Sequence, residues 1–256
     1  MVTAIILAAG SSSRMGGVNK QFLEVGGTPV LLRSVQAFLW VKRIEEILVV
    51  CRREDWEEVD SLLHGLPKVR VVPAGGATRQ QSVENALGYV YPLSDVVAIH
   101  DGARPLVRPD DIEKTLDAAE KTGGAVLGVM VKDTIKQVKD GMIQSTPDRS
   151  VLFSAQTPQV FRLEDYRKAM EQAKTEGWDM TDDAQLFERM GLPVAAVVGH
   201  YDNIKITTPE DVPAAEAMLS LQPEGPLNSC RGQLRLQYGL TDQPGTQPQV
   251  SIEIAA

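Results

Sequence analysis

The chain has 256 residues and a mass of 27.9 kDa, with 26 Lys and Arg against 34 Asp and Glu, a formal net charge of −8. Hydrophobic residues make up 43% and charged residues 23%, the composition of one large globular domain or two small ones. An acidic chain of pI about 5.0 argues against general binding to nucleic acid or to an anionic membrane surface, and no apolar run reaches the ~18 residues of a membrane span. From the N-terminus, apolar runs at 2–8, 46–51, 69–72, 95–100 and 124–131 read as strands. Helical patterns fill the gaps at 29–40, 53–64, 78–91 and 109–121. Short apolar strands alternating with helices of ten or more residues predict βαβ units, hence an α/β fold with a mostly parallel sheet. The opening MVTAIILAAG lacks a basic leader and reads as a buried strand, not a signal peptide.

The pattern breaks at 132–150, where KDTIKQV, a DG pair and IQST predict a hairpin that leaves the main sheet. Alternation then resumes, with helices at 163–175, 181–190 and 208–220 and strands at 194–198 and 203–206. These features make residues 1–220 one domain, with 132–150 as its arm. Residues 221–256 hold four Pro, six Gln and four Gly without a period, and read as a flexible extension in which VSIEI could still pair. The two cysteines, Cys51 and Cys230, lack metal-ligand spacing, as do the three histidines. A reduced, cytoplasmic protein is expected, with no zinc site.

Chemistry concentrates where strands end. LAAGSSSRMGGVNKQFL follows the first strand. It is neither a Walker loop, since Met15 stands where its lysine segment begins, nor a dinucleotide fingerprint, since Ser12 replaces the second glycine. What remains is a small-residue loop carrying Arg14 and Lys20, suited to a triphosphate; a solvated loop with two incidental cations explains it about as well. In AGGATRQQSV, Gly75 and Gly76 permit a close backbone approach and Ser82 lies in the first turns of a helix, beside Arg79. That segment reads either as a nucleobase pocket or as an ordinary strand-to-helix turn. HDGARP puts Asp101 at the carboxyl end of a buried strand, where open parallel sheets bind ligands. Asp101 there could hold Mg²⁺ and Arg104 a phosphate, or the two could pair with each other across a turn. His100 reads as a packing residue. Lys205, in the alternating YDNIKIT, needs an anionic partner if it points inward.

In order along residues 1 to about 220, LAAGxxxRM…NKQF, AGGxxRxxSV, HDxARP, DTIK, QTPQ, TDDA and DNIKIT resemble the 2-C-methyl-D-erythritol 4-phosphate cytidylyltransferase family. The resemblance implies a Rossmann-like domain with helices on both faces of the sheet and a protruding β-arm that makes a homodimer. It implies CMP transfer from CTP to the tetritol phosphate with a divalent cation, Mg²⁺ or another, in isoprenoid precursor biosynthesis. Carried over by motif, Arg14, Lys20, Arg149 and Lys205 would be catalytic. Ala8, Ala9, Gly10, Gly76 and Ser82 would contact the nucleotide. Asp101, Arg104, Thr134, Arg149, Thr157 and Thr181 would surround the acceptor, with Asp101 also the metal ligand. The arm arginine, Arg149, would come from the dimer mate. Ala77 departs from the family pattern, in which an acidic residue often follows the double glycine.

Such a reaction needs no general base, because the attacking phosphate oxygen is already an anion near neutral pH, and the sequence offers no convincing His or Glu for that role. Two alternatives stand beside this reading: a cytidylyltransferase for ribitol 5-phosphate or another sugar phosphate, and a non-catalytic nucleotide-binding protein. The partners expected are CTP, a small polyol phosphate and a second copy of the chain, without nucleic acid or membrane.

Overall fold

The structure is a computed structural model describing residues 1–10 and 19–222. Arg14, Cys230 and the VSIEI run lie outside the described residues.

A seven-stranded sheet organises the chain in the order β11-β7-β10-β6-β1-β4-β5. Its strands are β1 (Val2–Leu7), β4 (Ile44–Val50), β5 (Val69–Val72), β6 (Val96–Asp101), β7 (Gly124–Met130), β10 (Phe153–Arg162) and β11 (Ala195–Val198). β1 pairs in parallel with both β4 and β6. β10 lies antiparallel between β6 and β7, and β11 is parallel to β7. Helices α1 (Val30–Leu39), α2 (Trp56–Leu63) and α4 (Pro109–Thr122) cover one face; α3 (Arg79–Leu87), α5 (Leu163–Glu176) and α6 (Ala184–Arg189) cover the other.

Period-two alternation in β1 explains the two cores. Ala4, Ile6 and Ala8 join the cluster of α1, α2 and α4, while Ile5 joins the opposite cluster, which also holds Val83, Ala86, Phe161 and Phe187. A small third cluster of Val25, Val30, Leu106, Ile206, Ala215 and Leu219 seats α7 (Asp211–Leu221) against the short hairpin β2 (Glu24–Val25) and β3 (Thr28–Pro29). Among the described residues no helix is long and apolar enough to cross a membrane.

The predicted arm is present. β8 (Gln137–Lys139) and β9 (Met142–Ser145) pair around Asp140 and Gly141, whose φ angles of 51° and 75° are those a two-residue type I′ turn requires. Three expectations change. The run 203–206 is not a strand, because its backbone is tied to loops: Asn203 N–H donates to His200 O and Ile206 N–H to Ala103 O, at 3.2 and 2.8 Å. The helix expected at 181–190 begins only at Ala184, because Gln159 Oε1 accepts from the N–H groups of Asp183 and Ala184 and sets its first turn. The helix expected at 208–220 begins at Asp211, whose carboxylate accepts from the backbone N–H of Thr207 and of Thr208 just ahead of it. β10, which no periodicity announces, completes the sheet.

Candidate active site

β6 ends on Asp101, and three cations from separate parts of the chain meet its carboxylate. Lys205 Nζ lies 2.9 Å from Oδ2, Arg79 Nε donates to Oδ1 at 3.3 Å, and Arg104 Nε stands 3.6 Å from Oδ2. Arg79 comes from the start of α3, Arg104 from the turn after β6, and Lys205 from the loop before α7. Lys20 joins them at the same loop, its Nζ donating to the carbonyl of Ile206 at 3.2 Å. Of the six cations the sequence singles out, Arg79, Arg104 and Lys205 meet at Asp101 and Lys20 lies at the Lys205 loop, whereas Arg149 stands on the arm, bonded to Lys132 O, and Arg14 lies outside the described residues.

The two arginines are each held at a second point. Arg79 Nη1 contacts Asp183 Oδ2 at 2.6 Å, and the buried Tyr166 hydroxyl donates to Asp183 Oδ1 at 2.6 Å. Arg104 Nη1 donates to Asn203 O at 2.8 Å. Asn203 in turn donates from Nδ2 to Gln156 Oε1 and Thr157 O, at 2.9 and 3.0 Å, so the loop bearing Lys205 is fastened to β10. Arg108 and Asp202 close that loop further with a 2.5 Å ion pair. These second contacts fix the rotamers of long side chains before any ligand arrives, which lowers the ordering cost of binding.

The electrostatics follow from burial against charge. Burial of Asp101 pushes its carboxyl up, but Arg79, Lys205 and Arg104 more than offset this and hold it well below the usual carboxylate range. Burial disfavours the Arg79 cation, yet Asp183 and Asp101 outweigh it and raise its pKa. At Arg104 burial prevails and the pKa falls, while a guanidinium still keeps its charge near neutrality. His100 is fully buried, and burial pushes its imidazole down to about 3, leaving it neutral at physiological pH. Arg79, Arg104 and Lys205 outnumber Asp101 and Asp183 by one charge, and Lys20 adds to the excess. That excess suits the cleft to an anionic group.

The loop after β1 is held by close backbone approach. Ala8 N–H donates to Val50 O at 2.7 Å, Ala9 is half-buried and Gly10 is exposed. A Cβ at Gly75 would meet Ala9 Cβ at 2.8 Å and Cys51 O at 2.9 Å, so only glycine lets the two loops touch. Ser82 Oγ accepts from Gly76 N–H at 3.0 Å and donates to Thr78 O at 2.9 Å. Ser82 therefore shapes the glycine loop from beneath. Ala77, the departure noted above, donates its N–H to Gln81 Oε1 at 3.0 Å.

The remaining candidates divide. Thr157 is buried beside Asp101, its Oγ1 accepting from Asp101 N–H at 3.0 Å. Thr181 is exposed and contacts Gln185 Nε2 at 2.5 Å, two residues from the Asp183 that grips Arg79. Thr134 and Arg149 are exposed on the arm, where Arg149 Nη1 donates to Lys132 O at 2.8 Å. Arg14 lies outside the described residues. Sequence reasoning missed Asp183, which grips Arg79, and Tyr166 and Gln159, which hold Asp183 in turn; the only available signal was a polar residue inside an apolar run, such as Gln159 in QTPQVF.

Among the described residues no three His, Cys, Asp or Glu side chains converge on a metal-sized site. Asp101 is a single carboxylate whose two oxygens face cations. That donor set fits Mg²⁺ only as one ligand of an ion otherwise held by substrate phosphates and water.

An open α/β sheet with cations gathered around one carboxylate at its strand ends, beside a glycine-bounded loop, has the architecture of a nucleotidyltransferase. Comparison with known proteins makes the class specific. The family model described as 2-C-methyl-D-erythritol 4-phosphate cytidylyltransferase matches residues 2–221. A 2-C-methyl-D-erythritol 4-phosphate cytidylyltransferase from Syntrophotalea carbinolica is 48% identical over 225 residues, 85% of this chain and 96% of that one. One from Symbiobacterium thermophilum is 46% identical over 220 residues, 85% of this chain and 92% of the other. The crystal structure of a 4-diphosphocytidyl-2C-methyl-D-erythritol synthase from Anaerococcus prevotii superimposes with a TM-score of 0.79 at 35% identity, covering 86% of this chain and 96% of that chain. The chain belongs to the 2-C-methyl-D-erythritol 4-phosphate cytidylyltransferase family.

Proposed function

We propose that this chain carries out its family's reaction, transfer of CMP from CTP to 2-C-methyl-D-erythritol 4-phosphate, in the cleft around Asp101. The products are 4-diphosphocytidyl-2-C-methyl-D-erythritol and pyrophosphate. A phosphate oxygen of the acceptor forms a bond to the α-phosphorus, and the bond from that phosphorus to the bridging oxygen of pyrophosphate breaks. The acceptor monoester, with a second pKa of about 6, is already anionic at neutral pH, so no side chain has to remove a proton. Catalysis is then positioning plus charge stabilisation.

The meeting of Lys205, Arg104 and Arg79 on Asp101 is the observation that carries this reading. Lys20, Lys205 and Arg14 neutralise the α-phosphorus as negative charge builds on its oxygens. Arg104, Thr157 and Thr181 receive the acceptor, and Asp101 orients the cations and takes the polyol or the metal. Ala8, Ala9, Gly10 and Gly76 frame the cytidine, with Ser82 holding the glycine loop. A divalent cation would be held by the triphosphate with Asp101 as its one carboxylate, and would supply charge neutralisation. The chain works in the cytoplasm on this reading, in keeping with its buried, unpaired Cys51.

The arm supports a homodimer. Val138, Met142 and Ile143 are 60 to 68% exposed there, and Val151 just beyond it is 77% exposed, apolar surface that a lone hairpin cannot bury. A second copy that covers them brings its own Arg149 and Thr134 towards the acceptor side of this chain's cleft. Mass spectrometry of products from CTP, Mg²⁺ and either 2-C-methyl-D-erythritol 4-phosphate or ribitol 5-phosphate tests the function. The diphosphocytidyl methylerythritol is expected. A ribitol product instead reassigns the acceptor, and CTP binding without any pyrophosphate release removes the enzyme reading.

A further inference from the structure

His100 is buried in β6, one residue before Asp101, and both of its ring nitrogens are engaged. Nδ1 lies 2.9 Å from Thr157 Oγ1, and Nε2 lies 3.3 Å from the backbone oxygen of Arg104. The donors can be assigned from the partners alone. A carbonyl oxygen only accepts, so the ring proton belongs on Nε2. Thr157 Oγ1 already accepts from Asp101 N–H at 3.0 Å, which leaves its own hydrogen for Nδ1. The bonds run in one direction, from Asp101 N–H through the Thr157 hydroxyl and the imidazole to Arg104 O. They cross from β6 to β10 and back to the loop after β6.

Arg104 is thereby held by both of its backbone groups, since its N–H also donates to Asp101 O at 3.0 Å. Its guanidinium then sits between Asp101 and Asn203 O. From α1, the Phe38 ring packs on the imidazole at 4.9 Å between centroids, with 49° between the planes, and fixes the ring's rotation.

We infer that His100 is a positioning residue for acceptor binding: as the Nε2–H tautomer it locks the Thr157 hydroxyl and the Arg104 backbone into one register. The inference rests on the reading that Thr157 and Arg104 serve the acceptor phosphate. A ring that only filled space would be replaceable by any ring, whereas a positioning ring needs its nitrogens.

Nitrogen-detected NMR of the full-length wild-type chain, labelled at histidine, reports which ring nitrogen carries the proton. A proton on Nε2 alone is expected; a proton on Nδ1 overturns the inference and requires no variant. His100→Phe keeps the contact with Phe38 and removes both bonds, while His100→Gln returns an amide donor near the Nε2 position. The Phe variant should raise KM for the acceptor about tenfold, the scale of one or two buried hydrogen bonds, and leave KM for CTP within about twofold. The Gln variant, which restores the bond to Arg104 O but not the acceptor for Thr157, should recover part of that loss. Equal losses for both substrates, or Gln no better than Phe, would show a purely structural ring. Lys205→Ala is the separate check on the cleft itself: an active Lys205→Ala overturns the site reading, while the tautomer result is read independently.

Discussion

Asp101→Asn removes one negative charge without changing shape and leaves three cations facing an amide. At an effective dielectric of ~20, a contact near 3 Å such as Lys205 to Asp101 is worth about 5 kcal/mol before costs. Desolvation takes back several kcal/mol per ion. Lys205, with 37% of its side chain exposed, is further screened by water. Measured losses on breaking buried ion pairs run about 3–5 kcal/mol, and the screening places this site at the lower end, about 3 kcal/mol. For a chain of this size that is roughly 6–12 °C in Tm near pH 7, read by calorimetry. The pH dependence has a definite sign. The folded carboxyl titrates below the unfolded one, so its stabilisation is complete above the unfolded value of about 3.9 and is withdrawn as pH falls towards the folded value. The wild type should therefore lose its advantage over Asp101→Asn only below about pH 4. Melting temperatures within about 1 °C of each other at pH 7 would show that Asp101 does not hold the cations.

Gly75→Ala should push the Ala8–Gly10 loop away, because the new Cβ would lie 2.8 Å from Ala9 Cβ; KM for CTP should rise about tenfold, on the scale of modest overpacking, and steady-state kinetics with an unchanged value would show that the loops need not touch. Cys51, buried and with its thiol pushed up to about 12, should resist alkylation at pH 8 until the chain unfolds, and peptide mapping that finds it modified in the native protein would contradict its burial. Light scattering at micromolar concentration should give twice the 27.9 kDa chain mass, and Met142→Asp with Ile143→Asp should return it to one; a monomeric wild type removes the arm's role.

Much of the fold was legible because it rests on local pattern. Apolar β-type runs between amphipathic helices specify β1, β4, β5, β6 and β7, and Asp140-Gly141 specifies the arm's turn. β10 escaped notice because Pro158 interrupts it, and proline in a central strand removes a ladder bond. The sheet accommodates it where the register with β7 is irregular, between Ala155 and Gln159, so Pro158 has no ladder bond to lose there. The run Asn203-Ile204-Lys205-Ile206 has the alternation of a strand, but Ile206 spends its N–H on the Ala103 carbonyl and the segment becomes a strap over the cleft. The chemistry at Asp101 was readable from its place after a buried apolar run. Its support was not. Arg79 is braced by Asp183, and Arg104 by the carbonyl of Asn203, partners remote in sequence that only the closed sheet brings together.

Convergence of positive side chains on Asp101 to stabilise a pentacoordinate phosphorus is tested most directly by the turnover of Lys205→Ala, with CTP and the acceptor both saturating and product followed by mass spectrometry. Loss of one such transition-state donor should lower kcat by at least ~100-fold while the variant remains folded. Turnover within about threefold of wild type, under a kcal/mol of lost stabilisation, would contradict the assignment.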